Sequence, residues 1–136
     1  MAAGNSHTMA IDTDGYLWGW GSDLDGQLGL GVIGFKTTPT QVGTKTWTQV
    51  VTGYEHTMAI DTDGYLWGWG TNGSGQLGLG DTTDRYRPVQ VGTKKWTHVD
   101  SCYYHTMAIL NQGSISSPRL LKSYRIELGH TSVITR

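Results

Sequence analysis

HTMAIDTDGYLWGWG fills residues 7–21 and recurs unchanged at 56–70. Its first five residues favour an extended chain, as do Tyr16-Leu17-Trp18-Gly19-Trp20 and their counterparts Tyr65 to Trp69. Between the two runs stands Asp-Gly, at Asp14-Gly15 and at Asp63-Gly64. A short Asp-Gly connection between β-favouring runs marks a hairpin, and the reading predicts a type I′ turn with positive φ at both centres. Tyr65, Trp67 and Trp69 share one strand face at period two, and Leu66 and Gly68 share the other. Both faces can therefore pack against neighbours.

Outward from this block the likeness continues. GQLGLG stands at 26–31 and 75–80, a proline at 39 and 88, QVGTK at 41–45 and 90–94, and Trp-Thr at 47–48 and 96–97. HTMAI returns once more at 105–109, so the period is 49 residues, and residues 7–55 and 56–104 agree at 31 of 49 positions. Within the second period, Pro88-Val89-Gln90-Val91 and Trp96-Thr97-His98-Val99 read as a third and a fourth strand, with proline where a strand begins. Four short strands per period of this length is the unit of a β-propeller blade. The fold class is all-β, a partial β-propeller. It holds about two four-stranded antiparallel blades and the start of a third, over residues 1–110, with repeats at 7–55 and 56–104 and the start of a third repeat at 105–110.

The 136 residues carry a net charge of −1, 20 glycines and one cysteine. That balance excludes a global basic footprint for nucleic acid. One cysteine excludes an intramolecular disulfide framework. No apolar run reaches the ~18 residues of a membrane helix, and no leader is visible before His7, so the default compartment is cytoplasmic.

The spacing of the recurring glycine and histidine resembles the regulator of chromosome condensation repeat. That family's signature is a hydrophobic residue, two small residues, Gly, two free positions, His, a small residue, then hydrophobic, free, hydrophobic. Residues 1–11 fit it throughout, with Gly4 and His7. The second copy has Gly53 and His56 but Val51 at a small position; the third has Asp100 at a small position and Cys102 in place of Gly before His105. The Trp-rich DGYLWGWG and the PVQVG string are similar to bacterial members. Gly4, His7, Gly15, Trp18, Gly53, His56, Gly64, Trp67 and His105 are the structural repeat positions. The resemblance implies a seven-bladed ring. Seven such periods need roughly 340 residues, and residues 1–110 supply under a third of that. Repeat units bury their faces only against neighbours. Three readings follow: a fragment of a ring, a ring of several copies, or a chain completed by another propeller chain.

Residues 111–136 leave the repeat. They carry four Lys/Arg and one Glu, while 1–110 carry six Lys/Arg and ten Asp/Glu. Ser117-Pro118 and Gly129 bracket Leu120, Tyr124 and Leu128 at helical spacing, so a short C-terminal helix is one reading. A strand through Tyr124–Leu128 is the other.

Candidate chemistry is sparse. The motif histidines sit at equivalent places of successive blades, which spread around a ring and do not converge on a metal; their role is read as structural. Asp12-Thr13-Asp14-Gly15 and Asp61-Thr62-Asp63-Gly64 lack the ligand spacing of a calcium loop. GLGVIG at 29–34 has no helix after it to make a dinucleotide fingerprint. Cys102 stands three before His105 and is read as a packed small residue, since strand alternation would send the two to opposite faces. Asn72-Gly73-Ser74 is a formal glycosylation sequon. The tryptophans read as packing between blades. No catalytic residue, metal or cofactor is expected.

What varies between the repeats is 22–25 against 71–74, and 32–38 against 81–87. Loops on a rigid scaffold are where recognition sits. Asp23, Leu24, Asp25, Phe35, Asn72, Asp84, Arg85, Tyr86 and Arg87 are the candidate partner-binding residues. The expected function is a non-enzymatic protein-interaction module. The alternatives are nucleotide exchange on a small GTPase, implied by the resemblance alone, and enzyme inhibition or carbohydrate binding. The expected partner is a protein, another propeller chain or a second copy, with no nucleic acid and no membrane.

Overall fold

The computed structural model describes residues 1–111 and the backbone of two strands at 125–128 and 131–135. Ten strands follow one another: β1 Ala2–Ala3, β2 His7–Ile11, β3 Tyr16–Ser22, β4 Phe35–Thr52, β5 His56–Asp61, β6 Tyr65–Gly70, β7 Arg85–Cys102, β8 His105–Leu110, β9 Arg125–Leu128 and β10 Thr131–Thr135. Among the described residues there is no helix. Strands β1 to β8 pair antiparallel, each with the next. The architecture is a partial β-propeller.

Two long strands stitch the blades together. The first part of β4 pairs with β3 up to Tyr16↔Thr46, and from Trp47↔Asp61 onward the same strand pairs with β5. β7 repeats the exchange between Tyr65↔Lys95 and Trp96↔Leu110. The two strands expected at 88–91 and 96–99 are thus one element that changes sheets. A register shift marks each change of sheet, where extra residues let a strand bend away from its first partner.

The hairpins stand at 12–15 and 61–64, but not as type I′ turns. Gly15 and Gly64 have φ of 91° and 93°, while Asp14 and Asp63 do not enter the left-handed region. The geometry is that of a three-residue loop with glycine at its left-handed third position. Asp12 explains the preference. Its Oδ1 accepts the amides of Asp14 and Tyr16 at 2.9 Å each, and its Oδ2 accepts the Trp18 indole N–H at 2.8 Å. Asp61 does the same for Asp63, Tyr65 and Trp67. Burial works against the Asp61 carboxylate, and the amide of Tyr65 and the indole of Trp67 outweigh it, holding its pKa below the usual value.

Cores lie between blades, because each sheet is apolar on both faces. Met9, Leu17, Leu28 and Val42 of the first blade meet Trp47, Ala59 and Trp69 of the second. Met58, Leu66, Leu77 and Val91 of the second meet Trp96, Val99, Ala108 and Leu110 of the third. One polar relay crosses each core. The Thr57 hydroxyl donates to the Gln27 carbonyl at 2.7 Å, so it accepts from His7 Nε2 at 3.1 Å. Thr106, Gln76 and His56 repeat this at 2.8 and 3.2 Å. Nδ1 of each of these histidines is buried without a partner. Burial lowers the pKa of both to about 4, with His7 and His105 adding to the effect at His56. The motif glycine is explained here too. A Cβ at Gly4 or Gly53 would fall on the imidazole of His7 or His56.

The third blade departs from the pattern. With Cys102 in the glycine position, His105 is exposed. Cys102 and His105 are cross-strand register partners at a tight turn. They share a side of the sheet, contrary to the alternation argument, which holds only within one strand. Cys102 is also exposed rather than packed. Beyond β8, β10 adds parallel, Thr131↔Thr106 to Thr135↔Leu110, and β9 pairs antiparallel with β10. Arg125–Leu128 is therefore a strand and not the end of a helix; the remainder of the expected helix, 117–124, lies outside the described residues. The edge of β8 offers unpaired backbone groups that a neighbouring strand satisfies.

Candidate functional site

Strand direction sorts the connections to two ends. His7 faces Gly21 and Ser22 faces Phe35, while His56 faces Gly70 and Gly70 faces Arg85. The motif turns around 4–6, 53–55 and 102–104, and the loops 23–34 and 71–84, accordingly gather at one end of the sheets. The identical DTDG hairpins occupy the opposite end. Every segment that differs markedly between the repeats is thus at one end.

Within those loops the nine candidate residues divide. Asp23 and Asn72 are 1% and 0% exposed. They build loops and present nothing to a partner. Asn72 accepts the Leu77 amide at 3.0 Å and its Nδ2 reaches the Asp81 carbonyl, the Asp81 carboxylate and the Thr83 carbonyl at 3.0–3.1 Å. That burial also closes the sequon to a glycan. Asp23 accepts the Leu28 amide at 2.9 Å, and its Oδ2 is buried with no partner. Burial pushes its carboxyl pKa up, against the Leu28 amide and the Lys36 charge. Asp84 accepts the Asn72 amide at 2.8 Å. Arg85 is tied to Asp81 at 2.7 Å and to the Thr83 carbonyl at 2.6 Å. Arg87 lies against Gly31, whose amide donates to the Tyr86 carbonyl at 2.8 Å, so strand β7 clasps the loop of the preceding blade.

Leu24, Phe35 and Tyr86 are exposed, as expected of contact residues, and Val32 and Ile33 join them. The sequence reading missed a second group. Tyr54 and Tyr103 stack at 5.3 Å between centroids and 13° between planes, and Tyr104 closes on both at about 6 Å. Tyr103 and Tyr104 are 60% and 50% exposed. These tyrosines occupy the two free positions between the glycine or cysteine and the histidine of the motif. Pooling those free positions across the copies was the signal that could have found them. Backbone bonds join the turns, Asn5 N to the Tyr54 carbonyl and Tyr54 N to the Tyr103 carbonyl, both 3.0 Å. Beside them the Glu55 carboxyl is pushed up by its burial and then by Asp25 and Asp84.

Among the described residues no group of three or more His, Cys, Asp or Glu side chains is placed to hold a metal ion. His7 and His56 each lie at a blade interface, on Thr57 and Thr106, while His105 is exposed.

Family models for the regulator of chromosome condensation (RCC1) repeat match residues 14–60 and 63–109, and a second RCC1-repeat model matches 47–76. The chain belongs to the RCC1-repeat family. No curated protein sequence matches it. Among solved structures, human WBSCR16 is similar at 24% identity and a TM-score of 0.68, over 76% of this chain and 29% of that one. Yeast Prp20p, from Saccharomyces cerevisiae, is similar at 20% identity and a TM-score of 0.69, over 77% and 29%; that study concerns its binding to Gsp1p and histones. Yeast RCC1 (Prp20), in a structure with Kap60, gives 21% identity and a TM-score of 0.72, over 98% and 36%. The RCC1-repeat chain thus spans about a third of the solved chains that it matches.

Proposed function

We propose that this RCC1-repeat chain is a non-enzymatic protein-interaction module, part of a propeller scaffold that binds a protein partner through the loop end of its sheets. One observation carries the reading. The exposed apolar and aromatic side chains Leu24, Ile33, Phe35, Tyr86, Tyr103 and Tyr104 lie at the end where the repeats diverge, while the invariant hairpins lie at the other. Exposed apolar patches of this kind mark interaction sites. Protein partners described for the structural neighbours agree with this in kind.

Further blades fit the same scaffold. Thr57 and Trp69 are fully buried and both donate to the Gln27 carbonyl, whereas their counterparts Thr8 and Trp20 on the outer face of the first blade are half-buried. Another propeller chain, or a second copy, would cover that face.

The test is a pull-down with the full chain as bait, compared with Leu24→Ala/Phe35→Ala/Tyr86→Ala and with Thr13→Ala/Thr62→Ala at the opposite end. Loss of a partner only in the first variant is the expected result. Retention in the first variant overturns the assignment.

A further inference from the structure

We propose that the Tyr54–Tyr103–Tyr104 cluster, with Glu55 next to Tyr54 in the chain, docks cationic side chains, guanidinium groups above all, on a basic segment of the partner protein. This rests on the interaction-module reading and names the chemistry of the partner.

Three observations point the same way. The first is geometry. Tyr54 and Tyr103 present near-parallel rings, and Tyr104 stands at about 53° to both. The result is an aromatic corner with faces in two orientations. A planar guanidinium stacks on one face while its edge N–H groups stay free for carboxylates. The corner is held in place: the Tyr54 amide donates to the Tyr103 carbonyl at 3.0 Å. Tyr103, at φ 30°, is the one non-glycine with positive φ among the described residues. Strain of this kind is retained where the surroundings over-determine it, and it gathers at functional sites.

The second is occupancy. At the opposite end this chain already places cations over rings, Lys45 over Trp67 at 4.9 Å and Lys95 over Tyr65 at 5.5 Å. No described cation covers the tyrosine corner, and the corner is exposed.

The third is charge. The Asp25 and Asp84 carboxylates lie close enough to Glu55 to add to its burial in pushing the Glu55 carboxyl up. The described ion pairs are Lys45–Asp61 and Arg85–Asp81, so none of these three is neutralised by one. An incoming cation relieves that crowding. An acidic segment would add to it.

Isothermal titration of the full chain tests this with four probes: an eight-residue peptide of alternating Arg and Ser, its Lys/Ser and Glu/Ser counterparts, and a neutral cello-oligosaccharide. The expected result is binding of the Arg/Ser peptide, weaker binding of Lys/Ser, none of Glu/Ser or of the sugar, and affinity that falls as salt rises. Tyr103→Phe keeps the affinity within about twofold, while Tyr103→Leu weakens it roughly five- to tenfold, because only the latter removes the ring quadrupole. Tyr104→Leu, outside the strained position, shows the same loss in a chain whose circular dichroism is unchanged. Equal binding of the Glu/Ser peptide or of the sugar, or a Leu variant that binds like the parent, overturns the proposal. If the Arg/Ser peptide does not bind but Leu24→Ala/Phe35→Ala/Tyr86→Ala still releases a partner, the cation reading falls and the module reading stands. If that variant releases nothing, the module reading falls as well.

Discussion

Lowering the pH from 7 to 5 should cost this protein much of its stability, and the cost should reside in His7 and His56. Each imidazole is enclosed between blades, and burial lowers its pKa from 6.5 to about 4. An unfolded chain takes up a proton at each histidine as the pH falls through 6.5, while the folded chain does not until near 4. The unfolded state then binds more protons, so unfolding free energy falls with falling pH. The stabilisation is complete above 6.5 and is lost progressively down through 4. Worked at pH 5, the loss is roughly 2 kcal/mol per histidine and about 4 kcal/mol for the pair. That is a large share of a typical domain's stability. The lowered carboxyls of Asp12 and Asp81 titrate below this window. The raised ones of Asp23 and Glu55 act with the opposite sign: the folded form holds their protons longer, so they gain stability as the pH falls. The histidine contribution is therefore read as the difference between the parent and His7→Gln, His56→Gln and the double variant. Urea denaturation followed by tryptophan fluorescence at pH 7 and pH 5 provides it. The parent should lose the amount given, and each substitution should remove about half of the pH dependence. A parent whose stability is flat over this window, or a double variant with an undiminished slope, would refute the reasoning.

Other outcomes follow from the same geometry. Gly53→Ala places a Cβ on the His56 ring and should destabilise by about 2 kcal/mol or more, whereas Gly80→Ala, with nothing near its Cβ and φ 82°, should cost about 1 kcal/mol in urea titrations. Asp23→Asn replaces an unpartnered buried carboxylate oxygen with an amide and should stabilise the chain at pH 7 by about 1 kcal/mol; Asn72→Asp removes donors from three oxygens and should destabilise by about 2 kcal/mol, both read from midpoint shifts. Trp69→Ala should cost about 3–5 kcal/mol, as a buried tryptophan does, and Trp20→Ala clearly less, because the face that Trp20 sits on is half open.

Much of the fold was legible from single residues. Asp-Gly at a fixed place marked each hairpin, and the 49-residue period marked the blade. The turn type was not legible. Whether Asp14 or Gly15 takes the left-handed conformation depends on Asp12 capturing the amides of Asp14 and Tyr16, a contact between side chain and backbone that composition does not display. The loop positions were found, but their division was not. Asp23 and Leu24 are adjacent in one variable loop, yet one is buried and the other faces solvent. The tyrosine corner escaped because Tyr54 and Tyr103 are 49 residues apart and meet only when blades stack.

By itself, then, the sequence determined the strands, the turns and the repeating blade, because these depend on residues close along the chain: alternation, Asp-Gly and the reach of one side chain to its neighbours. The tertiary structure alone decided which polar groups face each other across blades. His7 finds Thr57, His56 finds Thr106, and His105 is left exposed. It also decided which loop residues point outward. Both depend on how one sheet lies on the next, and that packing is set by many weak apolar contacts acting together rather than by any local string of residues.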